Sequence, residues 1–479
     1  MARVESELRT TAITVAGREV GDGDARAVRS PWDGETVGAV PTVGAEEARR
    51  AVEAAADAMR EPLPAYERGL VLERAAGLVR ERREEIAHTL AHEIGKPLKQ
   101  ALVEVDRCVQ TLTFSAIEAR TLAGEGIAVD AHPAGAGKRG WTLRVPIGVV
   151  GAITPFNFPL NLAAHKIGPA IAAGCGAVVK PAGVAPLACI KLVRILHEAG
   201  LPPELLSVVT GSAGEIGDVF VEDERVRMIT FTGSAEVGWD LAARAAKKKV
   251  SLELGNTTPL LVCADADLDA AATAAAVSGN GFAGQSCISV QRILVDRAVH
   301  DDFVASLEAA VGKLKLGDPE EADTDVGPLI DEDARARVSE WIDEAVDAGA
   351  ERVAGGTGEH GHLRPTVLDG VATDVRVWTH EVFGPVVGVR TFSTLEEGIE
   401  LANGTPYGLQ AGIFTRDLAT AITASERLEF GGVTINEAPT FRVDQMPYGG
   451  TKESGNTREG PHYTVREMTE ERMVVLQLP

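Results

Sequence analysis

From residue 145 onward, short apolar runs of strand length alternate with stretches patterned as amphipathic helices. The runs are 145–153, 177–179, 206–209, 228–231, 250–254 and 260–262, and helical patterns such as 186–199 and 214–221 lie between them. Alternation of this kind predicts an α/β fold built on a parallel, doubly wound sheet. A second region of the same character covers 266–440, with strands near 291–295 and 385–391. Ahead of the alternation the pattern is helical. Ala48, Val52, Ala55 and Met59 share one face of a helix at 45–60, a second helix covers 66–94 up to Gly95-Lys96-Pro97, and a third covers 100–121. Residues 122–143 read as a β-hairpin with a Pro/Gly-rich tip, and 472–479 as an isolated apolar strand. A projecting hairpin and a lone terminal strand need partners, so they predict a homodimer or homotetramer.

The chain of 479 residues is long enough for two or three domains. It carries 47 Lys+Arg against 70 Asp+Glu, a net charge of −23. A field of that sign repels nucleic acid and anionic membrane, so neither is an expected partner. Five cysteines, an odd number with no C-x-x-C pair, argue against a disulfide framework and a metal site, and fit a reducing cytoplasm. The N-terminus shows no apolar core of a secretory leader. The uncharged stretch 146–164 contains three prolines and two asparagines, with His165 and Lys166 directly after it. That is a strand, a turn and a helix start, not a membrane span.

Several motifs carry chemistry. Cys287, in Gly284-Gln285-Ser286-Cys287, stands on a loop entering an apolar run, where backbone N–H groups favour a thiolate; the other four cysteines read as small buried hydrophobes. Glu253, in Leu252-Glu253-Leu254-Gly255, is either buried with a raised pKa, as suits a general base, or exposed at a strand end. Asn157, in Thr154-Pro155-Phe156-Asn157-Phe158-Pro159, either stabilises an oxyanion or caps the next helix. Lys180 sits at the carboxyl end of a strand, where doubly wound sheets bind ligands. The turn Thr232-Gly233-Ser234 opens a helix whose N–H groups could hold a pyrophosphate. Glu381-Val382-Phe383 puts a carboxylate and an aromatic on a turn.

In order and spacing these motifs resemble the aldehyde dehydrogenase superfamily, over essentially the whole chain. Glu253 in E-L-G followed by Cys287 in G-Q-x-C, 34 positions on, is a specific combination. The resemblance implies a Rossmann-like cofactor domain (1–121 and 144–252), an α/β catalytic domain (253–440) and an oligomerisation element (122–143 and 458–479). It makes Cys287 the nucleophile, with the alkoxide held by Asn157 and the Cys287 N–H, and Glu253 the base that hydrolyses the resulting thioester. It groups Lys180 with the catalytic residues and also with the cofactor set: Ile153, Thr154, Pro155, Phe156, Gly183, Gly233, Ser234, Gly238, Leu254, Glu381 and Phe383. Where NAD-preferring members often carry a glutamate, this chain has Gly183. NADP is therefore expected to be accepted alongside NAD, or preferred to it.

The segment around Arg442 is similar to the branch acting on lactaldehyde, phosphorylated glyceraldehyde and phosphonoacetaldehyde. Arg107 and Arg442 are a candidate anion clamp or, equally, two structural ion pairs; Phe158, Ser286 and Ile288 complete the candidate substrate site. Members acting on phosphorylated glyceraldehyde tend to have arginine and tyrosine where Ser286 and Phe158 stand, so a smaller hydroxy-aldehyde or a phosphono- or carboxy-aldehyde is favoured. Coenzyme A-acylating members generally lack the glutamate. A catalytically silent relative need not keep Cys287, Glu253, Asn157 and Glu381 together. A cysteine esterase would need an activating histidine, and none of the ten histidines sits in such a motif.

Overall fold

The computed structural model describes residues 10–21, 23–358 and 362–478. The reading of residues 1–9 as leaderless, and Pro479 at the end of the terminal strand, lie outside them.

The alternating region forms two sheets. The first has five parallel strands in the order Lys249–Glu253, Val226–Thr232, Val149–Ile153, Ala177–Lys180, Leu206–Val208. The chain begins at Val149–Ile153, builds outward to one side, then crosses to the other. The direction of winding therefore reverses beside Val149–Ile153, and the crevice at that point lies at the carboxyl ends of the strands. Those ends carry Ile153, Lys180, Thr232 and Glu253. The second sheet has seven strands, ordered Glu351–Ala354, Thr366–Asp369, Val386–Phe392, Val290–Asp296, Thr258–Val262, Gln410–Phe414, Gly432–Ile435, with one antiparallel pair at the Glu351–Ala354 edge. Each sheet has its own apolar clusters. One gathers side chains from Ile13 to Leu254 together with Phe282, Val465 and Met468, and the others gather side chains from Leu260 to Phe430.

The apolar run 145–153 is two strands rather than one. It breaks at Gly148, whose φ of +136° is open to glycine and whose missing side chain leaves room for Arg227. The helix expected over 66–94 is likewise two, Ala65–Glu81 and Arg83–Ile94, because Arg82 leaves helical geometry (φ −99°, ψ 21°) and reaches Glu198 at 2.6 Å. The apolar spacing continues across that break, so periodicity does not mark it. The third helix is Leu98–Thr121.

The hairpin region has a long second strand, Lys138–Pro146, and only a two-residue first strand, Gly126–Ile127. The terminal strand is Thr469–Gln477 and is not isolated. It pairs antiparallel with Lys138–Pro146 over nine positions, from Thr469 opposite Pro146 to Gln477 opposite Lys138. Its outer edge is free among the described residues, with Met473, Val475 and Leu476 exposed.

The helix Asn161–Ala173 is buried along its whole length, including His165 and Lys166. It packs against Leu98–Thr121 and Pro461–Glu467, so its polar side chains must find partners in the interior. No helix among the described residues is long and apolar enough to cross a membrane.

Candidate active site

After the helix Leu268–Asn280 the chain makes a tight turn in which Phe282 (φ +49°), Ala283 (φ +52°) and Gly284 (φ +70°) are all left-handed. Two of the three carry side chains, so the turn is strained and the surroundings must hold it. Gln285 does much of that. Its Nε2 donates to the carbonyls of Phe282 and Pro328, each at 3.2 Å, and its Oε1 accepts from the Ile330 N–H at 2.8 Å. Gly284 lies so close to the Gly384 carbonyl that a Cβ would strike it.

The turn presents Cys287 to a cavity of about 370 Å³. Arg107, Phe158, Ser286, Ile288 and Arg442 line the same cavity, so the candidate substrate residues are brought together. The Cys287 Sγ lies 3.0 Å from the Tyr448 hydroxyl. Burial pushes the thiol up to about 12, the Glu381 and Glu253 carboxylates push the same way, and Tyr448 opposes them. Burial thus opposes the thiolate that the loop position was expected to favour. The other four cysteines are buried and free.

Glu253 ends its strand with a buried carboxylate, so the exposed alternative does not hold. Among the described residues neither oxygen has a hydrogen-bond partner. Burial raises its pKa well above the carboxylate range, and the nearby Glu459 charge raises it further. Glu459 moves the other way. Although burial opposes it, Lys166 at 3.0 Å and Arg442 at 3.2 Å hold Glu459 ionised, down to about 2. Two neighbouring carboxylates are thus driven apart, one kept charged and one ready to carry a proton.

Asn157 stands in the turn after Val149–Ile153. Its Nδ2 donates to the Gln285 carbonyl at 2.9 Å, which ties it to the cysteine loop. It does not cap the following helix. Glu104 does so, accepting the N–H groups of Leu160 at 3.0 Å and Asn161 at 3.2 Å.

Lys180, Asn157 and Glu253 all lie outside the set of side chains that line the cavity of Cys287. Lys180 lies by Arg26 and Gly183: burial lowers its pKa and the Arg26 charge adds to this, and a Cβ on Gly183 would sit 2.5 Å from the Arg26 Nη1. Arg26 and Gly183 line a second cavity, of about 180 Å³, with Thr210 and Ser212. Thr154 N–H donates to the Lys180 carbonyl at 3.1 Å, which links the two strand ends. Ser234 precedes the helix Ala235–Arg244 with no side-chain cap bond, and a Cβ on Gly238 would lie 2.5 Å from the Leu254 Cδ2. Glu381 accepts the Asn256 N–H at 3.1 Å, and burial raises its pKa to about 7. Phe383 (φ +48°) meets Phe156 edge to face at 5.8 Å. Asn256 pins its loop by donating to Thr258 at 2.8 Å and to the Gln410 carbonyl at 3.0 Å.

A strained loop carrying a half-buried thiol, an amide tied to that loop, and a partnerless buried carboxylate form one constellation. The chain matches the model of the aldehyde dehydrogenase family over residues 20–474. The chain belongs to the aldehyde dehydrogenase family. It is an NAD(P)-dependent oxidoreductase acting on an aldehyde, and its α/β architecture is the aldehyde dehydrogenase fold. It is 45% identical over 433 residues to a 3-sulfolactaldehyde dehydrogenase from Priestia megaterium, covering 90% of this chain and 91% of that one. Among solved structures it is similar to aldehyde dehydrogenase 21 from Physcomitrella patens in complex with the product succinate (TM-score 0.94, 40% identity, 98% and 99% coverage). It is also similar to an NADP-dependent glyceraldehyde-3-phosphate dehydrogenase from Bacillus halodurans complexed with NADP (TM-score 0.95, 37% identity, 98% and 100% coverage).

Sequence reasoning gave no role to Tyr448, Glu459, Lys166, Asp444 or Arg26. The dehydrogenase's Lys166 and His165 are the first polar residues after the apolar 158–164 segment but for Asn161, a weak signal of buried function. Arg26 lies on an exposed strand and has no motif at all. Both clamp candidates have carboxylate partners: Arg107 pairs with Asp444 at 2.9 Å, and Arg442 with Glu459. Both nevertheless face the cavity, and the buried Nε of Arg442 has no partner among the described residues.

Proposed function

We propose that this enzyme oxidises a small aldehyde bearing an anionic group at its far end, with NADP accepted at least as well as NAD. The observation that carries the substrate reading is the single cavity that contains Cys287 together with Arg107 and Arg442. At about 370 Å³ it suits a chain of three or four carbons better than a long or aromatic one. Sulfonate or carboxylate is the favoured anion. Ser286 and Phe158 offer no additional cation for a phosphate, and the Priestia relative is described as acting on sulfolactaldehyde.

The thiol of Cys287 gives its proton to water, and the thiolate attacks the aldehyde carbon, giving a thiohemiacetal whose alkoxide takes hydrogen bonds from the Asn157 amide and the Cys287 N–H. A nicotinamide cofactor, when bound, would supply the hydride acceptor needed for the adduct to become a thioester. Glu253 then removes a proton from water, which attacks the thioester and releases the acid. The Glu253 oxygens, buried without partners, are free to accept that proton.

The residues present fit a dinucleotide. Arg26 and Lys180 face each other without a carboxylate partner among the described residues, and Gly183 leaves the space between Arg26 and the strand end open. Two like charges so placed in a chain of net charge −23 accommodate a ribose phosphate. The Ser234 hydroxyl and the N–H groups of Ala235–Arg244 would take the pyrophosphate, and Glu381 the nicotinamide ribose. The five-stranded sheet would be the cofactor domain and the seven-stranded sheet the catalytic domain. The three-stranded element would pair subunits of a cytoplasmic homo-oligomer.

The substrate reading is tested by replacing Arg107 and Arg442 with glutamine. The KM for succinic semialdehyde or a sulfonated aldehyde is expected to rise about tenfold or more, with that for lactaldehyde little changed. An unchanged KM for every anionic aldehyde would remove the clamp.

A further inference from the structure

We infer that Lys96, with Glu104, is a positioning residue that sets the oxyanion donor against the nucleophile loop; the inference rests on the reading of Asn157 as that donor. Lys96 lies between the helices Arg83–Ile94 and Leu98–Thr121, and its side chain is 1% exposed. The ammonium bonds to the Glu104 carboxylate and donates to the backbone carbonyl of Asn157 at 2.7 Å. It also lies 3.7 Å from the centre of the Phe158 ring and 4.7 Å from that of Phe282. One charged group therefore touches the turn that carries the oxyanion donor and the strained turn that carries the nucleophile. Glu104 completes the arrangement, since it also accepts the N–H groups of Leu160 and Asn161. The 157–161 segment is held at its first residue by the cation and at its end by the anion.

Stability alone does not explain such a pair. Taking both charges out of water costs several kcal/mol per ion, and buried pairs often contribute no more than apolar residues of the same volume. What the pair adds is geometry. One Asn157 amide proton is committed to the Gln285 carbonyl, so the aim of the other depends on how the two turns sit relative to each other. A displacement of about 1 Å in such a site can lower the rate about a hundredfold.

The test is the double replacement Lys96→Met with Glu104→Gln. It removes both charges together, and the Gln oxygen can still accept the Leu160 and Asn161 N–H groups. Rapid mixing of enzyme, dinucleotide and aldehyde reads the acylation burst in reduced-nicotinamide absorbance. The burst rate is expected to fall about tenfold or more, while dinucleotide affinity and aldehyde KM stay within about twofold. In an Asn157→Ala background the same pair of changes is expected to cost less than about twofold, because the group it positions is gone. Lys96→Arg, which keeps the charge, is measured alongside; its planar fork cannot seat one donor between Glu104 and the Asn157 carbonyl against two rings, and the same selective loss is expected. Wild-type burst rates in the folded variants, or losses that multiply in the Asn157→Ala background, overturn the inference. A wild-type burst in Asn157→Ala alone overturns the oxyanion assignment and this inference with it, and that arm contains no change at Lys96 or Glu104.

Discussion

At the scale of single residues, two neighbouring buried carboxylates have different proton affinities. Glu253 and Glu459 are both buried carboxylates. Lys166 and Arg442 sit against Glu459 and keep it charged, while Glu253 has no cation in contact and is pushed up. In the proposed mechanism Glu253 acts on water after the thioester forms. Glu253→Gln is therefore expected to keep a full burst of reduced cofactor in the first turnover and to slow steady turnover about a hundredfold or more. A burst lost in proportion to turnover would place Glu253 in acylation instead. Glu253, Asn157 and Cys287 could be singled out on paper because each stands in a short motif beside a strand. Their supports could not. Lys166 and Glu459 are 293 positions apart, and Glu104 and Asn161 are 57. A charged residue in an apolar helix reads the same on paper whether its partner is water or a distant side chain.

At the scale of elements, the strand ends are where sequence and structure agree best. Alternating apolar runs placed Ile153, Lys180, Thr232 and Glu253 at the carboxyl edge of one sheet, and that edge is the crevice. Boundaries set by local geometry escaped the pattern, as at Arg82 and Gly148, where apolar spacing runs on through the break. A buried carboxylate also ties two helices. Glu93, near the end of Arg83–Ile94, accepts the backbone N–H groups of Leu187 and Ala188 at the start of Leu187–Glu198. Burial pushes its pKa up to about 8, the Glu104 charge adds to this, and those two bonds oppose it. The folded protein thus holds this proton more tightly than the unfolded chain, where the value is about 4.5. The stabilisation is complete below pH 4.5 and is lost as pH rises towards 8. Relative to Glu93→Gln, the wild type is expected to lose stability steadily from about pH 5 to 8, read from urea midpoints at each pH. Parallel midpoint curves for the two proteins would show that Glu93 is not protonated in the fold.

At the scale of the whole molecule, one sheet ends in Ile153, Lys180, Thr232 and Glu253, Cys287 stands just ahead of a strand of the other, and buried polar contacts join them. Gln285 bonds to Asn157, Gly255 lies against Glu381, and Ser454 bonds to the Gly255 carbonyl at 2.6 Å. None of these joints was legible in the sequence, since composition and periodicity describe each sheet by itself. The terminal strand is a further feature at this scale. Its partner is the chain's own hairpin, and the apolar side chains on its free edge remain uncovered. Met473→Glu with Val475→Glu is expected to shift the protein to a smaller assembly by light scattering, and an unchanged mass would exclude this edge as the subunit contact. The central claim is that Cys287 carries the oxidation of an anionic small aldehyde. It is tested most directly by following reduced-nicotinamide absorbance with NAD and NADP across acetaldehyde, lactaldehyde, succinic semialdehyde, glyceraldehyde 3-phosphate and phosphonoacetaldehyde. Each is repeated with Cys287→Ala. The expected result is turnover highest with succinic semialdehyde, supported by NADP, and abolished in the variant. Equal turnover by Cys287→Ala, or a preference for acetaldehyde over every anion, would contradict it.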